Sequence, residues 1–347
     1  MKGNEALAEA AIRAGCKCFF GYPITPQTEL SEYLSKQMPK RGGVFLQAES
    51  EVAAINMVLG GAATGTRVMT SSSSPGISLK SEGLSYMAGA DLPALVVNVQ
   101  RGGPGLGGIQ PSQSDYFQAT KGGGHGDYHM IVLAPDSVQE MAYLTMKGFD
   151  LADQYRMTSM ILADGTIGQM MEPVEIGQPE KKEFDKSWTV RGTKMQRTHN
   201  IINSLSLDPN ELERLNFARY EKYAKICQTE QMAEEYLMDD AEIAVVAFGI
   251  AARVAKNAIV EARKQGVKVG LIRPITLWPF PEKALKKAAA HCGKFLSVEL
   301  SMGQMIDDIR LAIECSRPVE LCNRVGGIIP SPEEVLEKIL KMGGVQA

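Results

Sequence analysis

Two prolines flank Thr25 in the stretch "GYPITPQ", which joins an apolar segment to a helix-like one. Pro23 and Pro26 restrict the backbone on both sides of the threonine. Thr25 therefore presents a hydroxyl and a backbone amide near a helix N-terminus, a place that suits a carboxylate. A rigid turn in which Thr25 or Thr28 only caps the helix would use the same residues, and physics alone somewhat favours that simpler explanation.

Arg101 ends the apolar run "ALVVNVQ" and is followed by "GGPGLGG". An arginine there suits a bidentate grip on a carboxylate. Gly103, Gly105 and Gly108 match a dinucleotide-binding pattern, but no apolar helix follows, so that fingerprint fails. We interpret the glycines as a mobile loop that closes over a ligand. A surface arginine before a flexible loop is the alternative, and it is weakened because the preceding strand is apolar.

Two glutamates, Glu49 and Glu51, lie where an apolar segment becomes a helix in "VFLQAESEVAAINMV". Acidic residues in a first turn usually just complement the helix dipole. The rest of this helix is almost entirely apolar, so its start is expected to be buried. A buried glutamate is unusual and needs a partner, which makes these residues candidates for binding or catalysis.

The elements that must position these residues alternate between strand-like and helix-like segments up to Asp164. This alternation predicts a parallel sheet covered on both faces. Ligands bind such sheets at the carboxyl ends of the strands. The loops that carry Thr25, Glu51 and Arg101 each follow a predicted strand, as does the serine loop "SSSSPG" at 71–76. All four loops therefore meet at one edge, and we predict a functional site there.

A second α/β rhythm begins near residue 240, after a charged stretch with few strand patterns. We predict an α/β fold with two doubly wound parallel-sheet domains at residues 1–175 and 240–347. A structured, partly helical connector at 176–239 joins them. Trp188 and Phe217 of the connector are expected to be buried, which argues against a disordered linker.

Two helices have explicit boundary signals. Asp136 and Gln139 stand at capping-box spacing before a long helical pattern. Ser331 and Glu334 have the same spacing, and Gly343 ends that last helix.

Composition excludes several classes of function. The 347 residues are 44% hydrophobic and 22% charged, as in a soluble globular protein. A net charge of −3 argues against nucleic-acid and anionic-membrane partners. The longest apolar runs are too short to cross a bilayer, and the N-terminal segment lacks an apolar signal region, so a cytoplasmic location is expected. Six scattered cysteines and four histidines show no metal-ligand spacing, so we expect no metal and no iron–sulfur cluster here.

Five motifs taken together resemble the α-type subunit of the 2-oxoacid:ferredoxin oxidoreductases, which depend on thiamine diphosphate. They are "GYPITP", "QAESEVAA", "SSSSPGISLKSEGLSYMAG", "RGGPGLGGIQPSQSD" and "IRPITLWPFP". The resemblance covers the whole chain and is very specific. It is nearest to the subunit of the branched-chain (3-methyl-2-oxobutanoate) enzyme. It implies a pyrimidine-binding domain of the thiamine diphosphate fold, followed by a transketolase-C-like domain.

The resemblance implies roles for particular residues. Glu51 matches the glutamate that binds N1′ of the cofactor's aminopyrimidine and helps remove the proton from the thiazolium C2. Thr25 and Arg101 match residues that bind the carboxylate of the oxoacid. The serine loop would line the pyrimidine side of the pocket with four residues: Ser73, Ser74, Pro75 and Gly76. Glu49 stays ambiguous, either a partner behind Glu51 or a charge at the helix start.

The resemblance also implies partners. The family binds the cofactor's diphosphate through Mg²⁺ on a GDG…N motif that this sequence lacks, and "ADGT" at Asp164 is no substitute. The diphosphate and Mg²⁺ would therefore be held by a diphosphate-binding subunit. A γ-type subunit and a ferredoxin-like iron–sulfur subunit would complete the complex, with clusters on those partners, coenzyme A as substrate and external ferredoxin as acceptor.

Several functions remain open at this stage. The leading one is oxidative decarboxylation of a branched-chain 2-oxoacid to acyl-CoA, carbon dioxide and reduced ferredoxin. The same reaction on 2-oxoglutarate or pyruvate is a close alternative, although 2-oxoglutarate would need a second cation. Lys80 and Lys121 are the only lysines near the loops, and both are candidates for exposure. A non-catalytic assembly subunit is an alternative of another class, and a NAD-dependent dehydrogenase rests only on the failed glycine fingerprint.

Overall fold

A computed structural model describes residues 1–180 and 182–345 of the chain. Its first sheet has seven strands in the order β10-β5-β6-β4-β3-β1-β2. All neighbours are parallel except β10, which runs antiparallel to β5. The strand bounds are β1 Cys18–Gly21, β2 Val44–Gln47, β3 Val68–Ser72, β4 Ala94–Gln100, β5 Ile131–Leu133, β6 Thr158–Asp164 and β10 Thr276–Trp278.

The strands β3, β4 and β6 are buried along their whole length, which agrees with the mostly apolar sequence of β4, while β3 ends in the polar residues of the serine loop. Helices cover the sheet. Their bounds are α1 Gly3–Arg13, α2 Thr28–Gln37, α3 Glu51–Ala63, α4 Pro75–Gly89, α5 Tyr116–Thr120, α6 Val138–Tyr155 and α7 Gly165–Gln169, with a 3-10 turn at Pro39–Arg41.

The second sheet has five strands in the order β12-β11-β8-β9-β7. Its neighbours are parallel except β7, which pairs antiparallel with β9 at the edge. The strand bounds are β7 Ala233–Tyr236, β8 Ile243–Val246, β9 Val269–Pro274, β11 Lys294–Glu299 and β12 Val319–Asn323. The helix bounds are α8 Pro209–Thr229, α9 Gly249–Lys264, α10 Glu282–Ala289, α11 Met305–Ala312 and α12 Pro332–Met342.

The predicted α/β class with parallel sheets is confirmed, with two antiparallel edge strands added to it. Strand β10 belongs by sequence to the second half of the chain but joins the first sheet. Strand β7 likewise brings the end of the predicted connector into the second sheet. The boundaries at 175/176 and 239/240 stay a prediction.

A buried ion-pair group fastens the two sheets to each other. Arg273 of β9 is 3% exposed and donates to both carboxylate oxygens of Glu140 in α6, at 2.8 and 2.7 Å. It also donates to Glu234 of β7 at 2.6 Å. Because a buried charge without partners is costly, these bonds favour one arrangement of the two halves.

Two expectations about local structure are wrong. The helix α6 is capped by Ser137, whose hydroxyl accepts from the amide of Glu140, and not by Asp136. In the connector, Phe217 is 67% exposed and Trp188 is only half-buried. The capping box of Ser331 and Glu334 before α12 is confirmed, with Gly343 at the helix end.

Candidate active site

Glu51 is the first residue of α3 and is 7% exposed. Ser50 caps the helix by accepting from the amide of Ala53 at 3.1 Å, which fixes where the helix begins. The carboxylate of Glu51 lies against Gly76 at the start of α4. A Cβ added to Gly76 would lie 2.8 Å from Oε1 of Glu51 and 2.1 Å from Oγ of Ser72. Only glycine fits there, so the sequence leaves this space to the glutamate.

Three hydroxyls of the neighbouring strand end are buried and lack a hydrogen-bond partner. They belong to Thr70, Ser72 and Ser73, each at 0% exposure. Ser71 between them is satisfied, because it donates to Oε1 of the buried Gln27 at 2.6 Å. Buried polar atoms are normally paired, so the unpaired hydroxyl of Ser72, which meets the Glu51 carboxylate at Gly76, indicates a place for a polar ligand.

Ser74 connects the serine loop to Arg101. Its backbone lies in the left-handed region at φ 22°, which is strained for a serine and requires fixed surroundings. Its amide donates to Oδ1 of Asn98 at 3.1 Å, and its hydroxyl donates to Oδ2 of Asp115 at 2.6 Å. The amide of Arg101 donates back to that hydroxyl at 3.0 Å. The strained turn is therefore held from β4 and from the loop after it.

Asp115 is the half-buried acid of this group. Its Oδ2 accepts from the hydroxyl of Ser74 and from Nδ2 of Asn98. Burial raises the pKa of the Asp115 carboxyl, and the bonds from Ser74 and Asn98 lower it by less. The two donors, Ser74 and Asn98, therefore offset part of the cost of holding a negative charge at Asp115.

Arg101 is 7% exposed, and its guanidinium faces the loop of Thr25. Nη1 donates to the carbonyl of Thr25 at 3.1 Å, and Nη2 donates to the carbonyl of Leu106 at 3.0 Å. Nε is buried without a partner. Two carbonyls thus fix the side chain while one donor stays free for another acceptor.

The glycine loop after Arg101 folds back on itself. The amide of Gly108 donates to the carbonyl of Gly102 at 2.9 Å. The backbone of Arg101 also forms an isolated antiparallel β-bridge with Pro111. Gly107 has φ 58°, and a Cβ there would lie 1.9 Å from the carbonyl oxygen of Gly102, so the turn requires glycine. The motion expected of this loop stays a prediction.

Arg101 and Thr25 line adjoining cavities and not a shared one. Arg101 lies in a cavity of about 780 Å³ between the glycine loop and the second half of the chain, where Leu300 and Met302 contribute. The exposed Thr25 lines a cavity of about 500 Å³ with Gln169. Although the two side chains line different cavities, the guanidinium of Arg101 bonds to the Thr25 carbonyl.

The structure therefore brings most of the predicted site residues to one sheet edge. Glu51, Gly76 and the serine hydroxyls form one group, and Ser74 links it to Arg101 and Thr25. Glu49 is exposed and precedes the helix cap, which favours a surface charge over a partner of Glu51.

Two residues of this edge, Asn98 and Asp115, were not singled out from the sequence, while Ser72 was included only as part of the serine loop and Lys80 only as a lysine that could be exposed. Asn98 had a usable signal, since it is the only polar residue inside the apolar run "ALVVNV". Lys80 also had one, because it stands four residues after Gly76 and so on the same helix face. Ser72 and Asp115 gave none, because their partners are remote in sequence.

Family models decide the identity of the chain. Residues 9–251 match the model described as pyruvate flavodoxin/ferredoxin oxidoreductase, thiamine diphosphate-binding. Residues 241–335 match core domain II of pyruvate:ferredoxin oxidoreductase. The chain belongs to the 2-oxoacid:ferredoxin oxidoreductases. The resemblance drawn from its motifs is thereby confirmed, and with it the assignment to an oxidoreductase that works as one subunit of a multi-subunit complex.

Two relatives within the 2-oxoacid:ferredoxin oxidoreductases match almost the full chain. The ketoisovalerate oxidoreductase subunit VorB of Methanothermobacter thermautotrophicus is 53% identical over 99% of this chain and 97% of its own length. The 2-oxoglutarate synthase subunit KorA of the same organism is 37% identical over 99% of this chain and 98% of its own length.

A solved relative matches the fold. It is the 2-oxoglutarate:ferredoxin oxidoreductase from Magnetococcus marinus with 2-oxoglutarate, coenzyme A and succinyl-CoA bound. The match has a TM-score of 0.86 at 28% sequence identity. It covers 99% of this chain but only 65% of that chain, so this chain spans about two thirds of its solved relative.

The residues at the sheet edge fit the pyrimidine half of the cofactor that this oxidoreductase family uses. A buried carboxylate, a glycine that leaves room beside it and unpaired hydroxyls suit a polar heteroaromatic ring. Across residues 1–180 and 182–345 no group of three or more His, Cys, Asp or Glu side chains could hold a metal ion. In the same ranges no helix has the length and apolarity needed to span a membrane.

Proposed function

We propose that this chain supplies the pyrimidine-binding half of a split thiamine diphosphate site in a ketoisovalerate:ferredoxin oxidoreductase. The complex would oxidatively decarboxylate 3-methyl-2-oxobutanoate with coenzyme A to acyl-CoA, carbon dioxide and reduced ferredoxin, in the cytoplasm. The observation that carries the choice of substrate is the 53% identity to VorB over nearly the whole chain, against 37% to KorA.

Glu51 is proposed to bind N1′ of the aminopyrimidine. Its support is its burial beside Gly76, since a carboxylate shielded from water can hold or pass a proton at one fixed atom. Ser73, Ser74 and Pro75 are proposed to line the same ring. The unpaired hydroxyl of Ser73 and the bonds that fix Ser74 support this role. When bound, the cofactor supplies the electron sink for loss of carbon dioxide.

Arg101 and Thr25 are proposed to bind the carboxylate of the oxoacid. The support for Arg101 is its free, buried Nε, which can donate a charge-assisted hydrogen bond. The position of Thr25 is fixed because Arg101 holds its carbonyl. Closer contact of the Thr25 hydroxyl with the same substrate would require the adjoining cavities to merge when partners bind.

The remaining chemistry is proposed to come from partner subunits. A diphosphate-binding subunit would hold the diphosphate and Mg²⁺, while a γ-type subunit and a ferredoxin-like iron–sulfur subunit would pass electrons to external ferredoxin. Exposed apolar side chains around the candidate site support a partner there. They include Leu46, Val52, Leu79, Leu106 and Ile109.

A small apolar substrate side chain is favoured by the state of the two nearby lysines. Lys80 is completely buried, which corrects its candidacy for exposure, and Lys121 pairs with Asp308. Lys80 is enclosed in the protein and Lys121 already has a carboxylate partner, so neither is available to a second substrate carboxylate, which 2-oxoglutarate would require. The KorA similarity favours the 2-oxoglutarate alternative only weakly.

Co-purification of the native complex followed by an oxoacid panel tests the proposed function. Reduction of ferredoxin with coenzyme A present should show the highest kcat/KM for 3-methyl-2-oxobutanoate. A higher kcat/KM for 2-oxoglutarate or pyruvate would overturn the substrate. A complex whose cluster absorbance is not bleached by any oxoacid would favour a non-catalytic assembly subunit.

A further inference from the structure

Lys80 is a buried lysine whose ammonium group has no hydrogen-bond partner. It lies in α4 at 0% exposure, and Nζ is unpaired in the structure. Lysine is almost never fully buried unless it is paired, because taking an ammonium out of water is expensive. A residue in this state needs a reason to be retained.

Lys80 lies on the face of α4 that packs against α3. Gly76, Lys80 and Gly83 are spaced four and three residues apart, so they share one helix face. Both glycines touch α3: a Cβ on Gly76 would meet Glu51, and one on Gly83 would lie 2.6 Å from Ile55. Lys80 stands between them and is therefore enclosed between the two helices, one turn from the Glu51 carboxylate.

The charged groups around Lys80 are few. The charged residues of α3 and β6, which pack on α4, are Glu51 and Asp164. The segment 115–128 also packs on α4, where Asp115 accepts from Ser74 and the carbonyl of His125 accepts from Ser85. Asp164 is occupied as the cap of α7. Within α4 itself, Glu82 faces solvent and accepts from Tyr86.

Electrostatics couples the lysine to the glutamate. Burial lowers the pKa of Lys80 from its ordinary value to about 8, and the charge of Glu51 opposes that fall. The ammonium form is thus present below about pH 8 and is lost as the pH rises through that value. A buried cation with a shifted pKa beside a buried carboxylate is a candidate for a functional site.

We propose that Lys80 is a positioning residue of the active site, acting as the buried counter-charge of Glu51. Its side chain is enclosed in the α3–α4 contact, one turn along α4 from the point where Gly76 meets the Glu51 carboxylate. The role of Lys80 toward the cofactor rests on the proposed function, in which Glu51 binds the aminopyrimidine. The pairing of Lys80 with Glu51 is independent of that function, because both residues belong to this chain.

Nuclear magnetic resonance of the full chain labelled with ¹³C at lysine Cε tests the pairing without cofactor or activity. The Lys80 signal is the one missing from the spectra of Lys80→Met and Lys80→Arg. In the wild type it should titrate near pH 8, and in Glu51→Gln at lower pH, because the neighbouring negative charge is gone. Ile55→Val is the matched control, since it loosens the same helix contact without a charge, and should leave the titration in place.

A Lys80 signal that titrates at the ordinary value for lysine, or at the same pH in Glu51→Gln and wild type, would overturn the pairing. Neither outcome depends on the oxoacid reaction. If the pairing holds but the native complex oxidises no oxoacid, the proposed function fails and the inference about Lys80 stands.

The assembled complex tests the role toward the cofactor. The pH profile of C2–H exchange in bound thiamine diphosphate should have a limb near pH 8 in the wild type that is missing in Lys80→Met, because the charge of Lys80 is lost at that pH. Ile55→Val should leave the profile unmoved, even if it lowers thermal stability. Equal profiles for Lys80→Met and wild type would limit Lys80 to a structural role.

Discussion

The Glu51 carboxylate lies against Gly76 at the start of α4, and the buried hydroxyl of Ser72 lies close to the same glycine. Three residue choices therefore define one small space: an acid at the start of α3, a glycine at the start of α4 and a serine at the end of β3. This geometry supports the proposal that Glu51 does more than complement the helix dipole.

Glu51→Gln should leave the complex assembled and stop cofactor activation. Glutamine keeps the size and a hydrogen bond but cannot pass a proton, and general acid–base catalysis is worth about 10²–10⁴-fold in rate. The measurement is C2–H exchange of bound thiamine diphosphate by mass spectrometry after quenching. Exchange at the wild-type rate in the variant would remove Glu51 from this role.

Gly76→Ala should displace the Glu51 carboxylate and slow the same exchange, because the added methyl group would overlap Ser72 and Glu51. Gly60→Ala in α3 is the matched control, since a Cβ there meets nothing within 4 Å. The control should be as stable as the wild type or more so, by up to about 1 kcal/mol, because alanine favours a helix. Exchange that is equally fast in both variants would contradict the tight space assigned to Gly76.

Arg101→Ala should act on the oxoacid and not on the cofactor. Losing a hydrogen bond to a charged group costs about 1.5–3 kcal/mol, which is roughly tenfold to a hundredfold in kcat/KM. Thr25→Val should cost less, since a neutral hydroxyl is a weaker partner. Steady-state kinetics and cofactor titration on the same samples separate the two effects. A fall in cofactor affinity with normal oxoacid kinetics would show the carboxylate assignment to be wrong.

At the scale of elements, the ends of β3 and β4 are tied by the turn at Ser74. Asn98, Asp115 and Arg101 all bond to this one residue. Hydrogen bonds thus join loops that were predicted to meet at one edge, and the strained turn at Ser74 fixes the position of Gly76 at the start of α4.

Asp115→Asn should stabilise the chain at neutral pH. The native pKa of Asp115 is raised by burial, so the stability associated with its protonated form is present at low pH and lost as the pH rises through the native pKa. Asparagine keeps an acceptor for Ser74 without the buried charge. Urea unfolding at several pH values between 4 and 7 should show a gain over wild type that grows with pH. A gain that is constant across this range, or a loss that grows with it, would contradict the assignment.

The sequence predicts the parallel strands and the edge where ligands bind, because apolar runs and loop residues are local signals. It misses β10, since a three-residue strand between prolines in "RPITLWP" has no strand pattern of its own and depends on a remote partner in β5. The role of Asp115 and the burial of Lys80 are missed for a similar reason. Their roles come from contacts with β4, the serine loop and α3 that local spacing does not encode.

At the scale of the whole molecule, ion pairs hold the two sheets together, and apolar side chains stay exposed at the edge that carries the candidate site. Arg273 and its carboxylate partners fix the halves, and β10 crosses between them. The apolar side chains of β2, α3 and the glycine loop stay exposed beside the site. A chain built this way should fold alone, remain colourless and self-associate through that edge.

Calorimetric titration of thiamine diphosphate with Mg²⁺ tests the split site most directly. The chain alone should bind the cofactor weakly or undetectably, because the diphosphate and its metal carry most of the electrostatic attraction. Addition of the diphosphate-binding subunit should produce tight, magnesium-dependent binding together with activity. Tight, magnesium-dependent binding by the isolated chain would contradict the claim that it holds only the pyrimidine half.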